Sequence, residues 1–263
     1  MPKLDALACA GLIDALTSIG AAASQAILGA RSDDVRIKPD GSPVTAADEA
    51  AEAVIRDGLA CLAPGLPIIS EERWSQENSK PAPEGSSYFL VDPLDGTREF
   101  IAGNNEYTVN IAVITDGLPI LGVIMAPALG LLWRGIVGRG AEKMNADDGS
   151  SLAAIHTRKR PGKPVIMVSR SHLEVRTTAY LDGLPGSELL ACGSSMKFCR
   201  LAEGSADIYP RLAPTHDWDI AAGHAILKSA GGDVAAPDGS RLAYGTRELL
   251  IPAFVARGDP LTA

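Results

Sequence analysis

Aromatic residues are scarce in this chain of 263: four Phe, five Tyr and three Trp, 5% of the total against 46% hydrophobic residues overall. The interior is therefore expected to be aliphatic, alanine- and glycine-rich, in a soluble globular protein of one large domain or two small ones. Cysteine is also sparse. Cys9, Cys61, Cys192 and Cys199 lack the close pairing of zinc or redox sites, and they read as free thiols, mostly core, in a reducing compartment. Basic charge is short as well: 24 Lys and Arg stand against 32 Asp and Glu, a net charge of −8. No basic run exceeds the few residues around Arg158 to Lys163, which argues against nucleic acid or an anionic membrane surface as the main partner. No apolar stretch is expected to reach the length of a bilayer span. The start lacks the basic-then-apolar order of a secretory signal, so a cytoplasmic location is expected. Oligomeric state and peripheral contact with the inner face of the cell membrane are left open.

Hydrophobic periodicity supplies the element order. Three- and four-residue spacing predicts a helix from Leu4 to about Leu28, and a second over Thr45 to Leu62, with a loop through Lys38 to Pro43 between them. "LPIIS" reads as a short strand ending at Glu71. The runs "YTVNIAVIT", "ILGVIMAP" and "LLWRGIVG" predict three successive strands, which after the strand that opens "YFLVDPLDGTREF" (Tyr88 to Phe100) make an antiparallel sheet backed by the two helices. The polar, basic, breaker-rich "TRKRPGKP" (Thr157 to Pro164) is the best boundary, dividing the chain into units 1–157 and 158–263. Beyond it come "VIMVS", a helix from about His172, a strand near Leu189, a helix through Ser195 to Ala202, "ADIYPRL", and a helix from Trp218 to about Ala230. The expectation is α and β layers in tandem.

Acids gather where these elements end. In "VDPLDGT" the proline holds Asp92 extended and Gly96 allows a tight turn, so Asp92, the Leu94 carbonyl and Asp95 can face one point. Thr97 is expected to cap a short helix whose free N–H groups attract phosphate. The local alternative is an ordinary Asp-Pro-x-Asp-Gly turn. Glu71 and Glu72 close a strand. Asp48 lies in the first turn of the second helix, where Thr45-Ala-Ala-Asp48 also fits a capping box, and Asp219 lies in the first turn of the last helix, where it also suits the helix dipole. Uncompensated carboxylates would repel one another, whereas oxygen-only ligands without a His or Cys cluster suit two or more Mg²⁺ ions beside a phosphate.

The motifs "SPVTAAD" (Ser42 to Asp48), "SEE" (Ser70 to Glu72), "DPLDGT" and "WDIAAG" (Trp218 to Gly223), in this order, resemble the Mg²⁺-dependent, lithium-sensitive phosphatases of the inositol monophosphatase family. "KPDGSPVTAADEAAE", "SRSH" (Ser169 to His172), "GSSMKFCRLAEGSADIYPR" (Gly193 to Arg211) and "WDIAAGHAIL" are further similar to 3'(2'),5'-bisphosphate nucleotidases of the CysQ type. The likeness runs from about Leu4 to Val255. It implies an α+β fold, a layered α/β/α/β/α sandwich. It also implies removal of the 3'-phosphate of adenosine 3',5'-bisphosphate within sulfate assimilation, with two or three Mg²⁺ ions. Metal positions would be Glu71, Asp92, the Leu94 carbonyl, Asp95 and Asp219. Asp48, Glu71 and Thr97 would act on the attacking water. Gly96, Thr97, His172, Ser194, Ser195, Lys197, Tyr209, Arg211 and Asp219 would meet the substrate, Lys197 and Arg211 gripping the uncleaved 5'-phosphate.

Three other readings compete. An inositol or sugar phosphatase shares the metal motifs. A haloacid-dehalogenase-type phosphatase places its two acids two residues apart rather than three and gives Glu71 and Asp219 no task. A non-catalytic metal-dependent binder has no use for Thr97, Glu71 and Asp48 together.

Overall fold

The computed structural model describes residues 4–30, 34–74, 85–146, 148–170 and 174–260. In chain order the first half holds α1 (Ala6–Gly29), β1 (Val35–Ile37), β2 (Pro43–Thr45), α2 (Ala46–Leu62), β3 (Ile68–Ser70), β4 (Ser87–Asp95) and α3 (Thr97–Ile101). It continues with β5 (Thr108–Thr115), β6 (Leu118–Ala126), β7 (Leu131–Ile136), β8 (Gly140–Asn145) and β9 (Ser151–Ile155). The second half holds β10 (Val165–Ser169), α4 (Val175–Asp182), β11 (Glu188–Cys192), α5 (Met196–Ala202) and β12 (Ile208–Arg211). It ends with β13 (Thr215–His216), α6 (Asp217–Ser229), β14 (Asp233–Ala235), β15 (Leu250–Ile251) and β16 (Phe254–Arg257).

A seven-stranded sheet ordered β3-β4-β5-β6-β7-β8-β9 is antiparallel except for its β3–β4 pair. Alternation along the strands assigns its two faces. Phe89, Val91, Val109, Ile111, Val113, Leu121 and Val123 pack under α1 and α2. Tyr88, Leu90, Ala112, Ile114 and Ile124 point the other way, into a core shared with α5 and α6. Both faces are buried, so these strands read as continuous apolar runs. At Gly122 on β6 a Cβ would lie 2.9 Å from the Ala222 carbonyl carbon, so glycine is what lets α6 settle against the sheet. A five-stranded sheet ordered β11-β10-β12-β16-β14 covers the far side of α5 and α6, and α4 packs on its outer face through Tyr180 and Leu181 with Ile166, Ile208 and Val255. The layers are therefore α/β/α/β/α. The core between the sheets draws on both sides of the 157–164 segment: Tyr88 and Ile124 share it with Phe198, Ile226 and Phe254.

Three expectations are corrected. Leu7–Gly29 is long and apolar enough to cross a membrane by length and composition, with mean hydropathy 1.5, contrary to the expectation that no stretch is. In the fold it lies on the sheet, with Cys9, Leu16, Ala23 and Ile27 fully buried. Helix α4 begins at Val175 rather than at His172, which lies outside the described residues. Strands β8 and β9, absent from the sequence reading, extend the large sheet to its edge.

Candidate active site

The cleft lies where the ends of β3, β4 and β12 and the start of α6 converge. Asp92 and Asp95 are three residues apart, which on a regular strand would point them to opposite faces. The pairing of β4 with β5 runs Asp92 to Asn110 and then Asp95 to Thr108, so β4 carries one extra residue. This bulge turns both carboxylates toward the cleft, together with Leu94. Gly96 follows at φ 94°, the left-handed region, where a side chain would be strained. Gly96 itself is the N-cap of α3 and Thr97 is its first residue, which corrects the expectation that Thr97 caps it. The Thr97 hydroxyl is instead aimed back across the cleft: Oγ1 lies 3.0 Å from Asp48 Oδ1 and 3.2 Å from the Leu94 carbonyl oxygen.

Asp48 serves in two ways. Its Oδ2 accepts from the Thr45 N–H at 2.8 Å and the Thr45 hydroxyl at 2.7 Å, closing the capping box of α2, while Oδ1 meets Thr97. The helix start thus fixes the carboxylate that Thr97 faces. Asp219 is held in the same manner at the start of α6, accepting from the His216 N–H at 3.1 Å and from the Thr215 hydroxyl.

One carboxylate oxygen from each of Glu71, Asp92 and Asp219 lies within 4.8 Å of the other two. Asp95 and the Leu94 carbonyl line the same cleft outside that triad, and Asp95 Oδ2 accepts from the Ser195 N–H at 2.6 Å. The electrostatics of the set call for a cation. Burial, then repulsion from Glu71, Asp95 and Asp219, raises Asp92 well above the usual carboxylate range. Burial pushes Asp95 to about 7, with Asp219 adding to the rise and Lys197 and Arg211 opposing it. Glu71 is likewise pushed to about 7 by burial, against the pull of Lys38. Lys38, which the sequence reading did not single out, lies 2.8 Å from Glu71 and 2.7 Å from Glu72. Lys38, with Lys197 and Arg211 acting on Asp95 from the same cleft, still leaves the five acids in excess. All-oxygen donors at this separation, short of positive charge, fit a hard divalent ion.

The substrate-side residues separate into two kinds. Ser194, Lys197, Tyr209 and Arg211 line the cleft with Gly96 and Thr97. Lys197 is 3% exposed rather than a solvated surface cation. Its Nζ donates to the carbonyls of Cys192 at 3.0 Å and Ser194 at 2.6 Å and lies over the Tyr209 ring. Ser195 also borders the cleft, yet its hydroxyl is committed to Thr108 at 2.8 Å and Asn110 at 2.7 Å, so it ties the loop to β5. His216, which none of the sequence motifs assigns to the site, lines the cleft stacked on Trp218 at 4.4 Å, with Trp74 tilted against both. No local pattern in the sequence marks that stack. Asp217 does not line the cleft; it is buried behind it, accepting from the Gly245 N–H at 2.7 Å.

A layered α/β/α/β/α sandwich with a carboxylate cluster at the end of its larger sheet, a threonine-aspartate pair beside it, and the buried Lys197 and partly buried Arg211 in the same cleft defines a metal-site protein suited to a phosphorylated small molecule. The family model for the inositol monophosphatase family matches residues 10–260, and the chain belongs to that family. It is 42% identical to the 3'(2'),5'-bisphosphate nucleotidase CysQ of Shigella flexneri over 92% of this chain and 98% of that protein. It is 44% identical to the nucleotidase of the same name from Salmonella typhimurium over 89% and 93% of the two chains. Among solved structures, CysQ from Bacteroides thetaiotaomicron superposes with a TM-score of 0.76 at 34% identity, covering 93% of this chain and 96% of that one.

Proposed function

We propose that the protein is a 3'(2'),5'-bisphosphate nucleotidase, hydrolysing the 3'-phosphate of adenosine 3',5'-bisphosphate to AMP and phosphate. The observation that carries this reading is the pairing, in one cleft, of the Glu71, Asp92 and Asp219 triad with two cations, Lys197 and Arg211. One centre suits the phosphate that is cleaved and the other a phosphate that is only held. The names of the relatives agree with that choice of substrate.

Glu71, Asp92, the Leu94 carbonyl, Asp95 and Asp219 would hold Mg²⁺, two or three ions in this reading. Bound there, the metal supplies neutralisation of phosphoryl charge and a lowered pKa for the attacking water. The remaining steps belong to the chain. Thr97 donates its hydroxyl proton to Asp48, which turns an Oγ1 lone pair to the cleft to accept from water and orient it. Water attacks phosphorus as the bond to the 3'-oxygen breaks; one of that water's two protons passes to the leaving 3'-oxygen, giving the 3'-hydroxyl of AMP, and the other stays on the phosphate formed. Arg211, at the end of β12, grips the 5'-phosphate with Lys197 beside it, and Ser194 and Tyr209 complete that wall. Unit 1–157 thus brings most metal ligands, and unit 158–263 brings the substrate contacts and Asp219. A cytoplasmic role in sulfate assimilation follows from the substrate.

The test is phosphate release from adenosine 3',5'-bisphosphate, inositol 1-phosphate and fructose 1,6-bisphosphate, each with Mg²⁺, with chelator and with added lithium. The bisphosphate nucleotide is expected to give the highest kcat/KM, abolished by chelator and inhibited by lithium. Preference for inositol 1-phosphate or the sugar would replace the reading with the inositol or sugar phosphatase alternative.

A further inference from the structure

Between α3 and β5 a carboxylate joins the two halves of the chain beside the cleft. Arg170, directly after β10, donates to Glu106 through Nε at 3.0 Å and Nη2 at 2.9 Å. The Gly193 N–H donates to the same carboxylate at 2.8 Å. Arg170 Nη2 also reaches the Ala191 carbonyl at 3.3 Å, and the Glu106 N–H is held by Asn104 Oδ1 at 3.3 Å. The two loops touch closely. A Cβ on Gly193 would lie 2.6 Å from the Glu106 carbonyl oxygen, and one on Gly96 would lie 3.3 Å from that same oxygen. Glu106 therefore abuts both the loop after the metal-binding strand and the loop after β11.

The second of these loops is under strain. Ser194 adopts φ 46°, sparsely populated by residues with a side chain, and its buried hydroxyl oxygen has no hydrogen-bond partner. Such a conformation persists only where the surroundings over-determine it. The carbonyls of Cys192 and Ser194, on either side of Gly193, are the acceptors that fix the Lys197 ammonium. A forked arginine pair plus a backbone N–H makes a rigid, directional tie rather than a loose surface ion pair.

We propose that Glu106, clasped by Arg170 and Gly193, is a positioning residue that sets affinity for the phosphate that is bound but not cleaved. It acts by holding the Cys192–Ser194 carbonyls, and through them Lys197, in register with the metal half of the cleft. The proposal rests on the nucleotidase reading of the site. The Glu106 carboxylate makes no hydrogen bond to the carboxylate cluster or to the Thr97–Asp48 pair; its link to the metal ligands runs only through the loop it holds, where the Ser195 N–H meets Asp95, so its loss is read first in substrate selection.

The test compares adenosine 3',5'-bisphosphate with 3'-AMP, which lacks the 5'-phosphate, at saturating Mg²⁺ in wild type, Glu106→Gln, Arg170→Lys and the double variant. KM for the bisphosphate is expected to rise about tenfold in Glu106→Gln, the size of one charge-assisted hydrogen bond. KM for 3'-AMP, kcat and the Mg²⁺ concentration for half activity are expected to change less than about twofold, because the Ser195 hydroxyl's own bonds to Thr108 and Asn110 hold the Asp95 end of the loop. Arg170→Lys keeps the charge but not the fork, so a smaller loss in the same direction is expected, and the double variant should lose no more than Glu106→Gln. Equal losses on the two substrates, or a fall in kcat at constant KM, would overturn the positioning role. Arg170→Lys changes a half-exposed side chain and carries the comparison should Glu106→Gln not fold. A wild type that uses both substrates equally would instead defeat the nucleotidase reading itself.

Discussion

Each acid in the cleft is kept where an apolar replacement would ease the fold, and the reason is chemical. Asp95 is partly buried among carboxylates and raised to about 7, so folding without a cation works against it. Asp95→Asn removes that repulsion and leaves an acceptor for the Ser195 N–H. The metal-free variant is expected to melt no lower than wild type, while Mg²⁺-dependent turnover falls by on the order of a hundredfold or more. Melting curves and phosphate release on the same preparation decide it, and an unfolded variant would make the carboxylate structural. Thr97→Ala deletes only the hydroxyl facing Asp48, so kcat should drop about a hundredfold with KM nearly constant, the pattern of a group that acts on the water rather than on the substrate.

Among the elements, glycine on β6 makes a sharp prediction. Gly122→Ala would press a methyl group into the first turns of α6, and because α6 carries Asp219 the helix cannot shift without moving the site. A loss of about 3 kcal/mol in urea unfolding is expected; an unchanged midpoint would mean that α6 is not seated on the sheet as described. This contact also illustrates the limits of sequence reading. The strands β4 to β7 and the helices α1, α2, α5 and α6 were legible because their periodicity is imposed by packing on two buried faces. The acids were legible because "DPLDGT", "SEE" and "WDIAAG" keep the residues that the chemistry needs in short runs. What brings Asp92 and Asp95 to one side is a bulge, which depends on the register with β5 and leaves no local mark. The burial of Lys197 leaves no local mark because it depends on the carbonyls of a strained loop five and three residues before it. Lys38, His216 and the Glu106–Arg170 clasp depend on contacts between distant segments; β8 is largely polar, and β9 is a short, mostly exposed edge strand without alternation, so neither announces itself.

At the scale of the whole molecule the fold collects like charge from β3, β4 and α6 at one point and leaves its neutralisation to something bound, so stability, metal and pH are linked. Glu71 rises from 4.5 to about 7 and Asp95 from 3.8 to about 7 on folding. The sign follows: the native state binds more protons than the unfolded chain between about pH 4 and 7, so metal-free stability falls as pH rises through that window. A divalent ion competes with those protons and binds more tightly as they leave. The melting temperature without metal is therefore expected to decline from pH 5 to pH 8. The increment produced by Mg²⁺ should grow over the same range, reaching about 2.7 kcal/mol when the ion is at a hundred times its Kd. Asp95→Asn should flatten the metal-free decline because it removes one of the protons taken up on folding. Parallel melting curves with and without Mg²⁺ across that range would mean that the raised carboxylates are not the ion's ligands, and the link from sequence motif to metal cleft would break at that point.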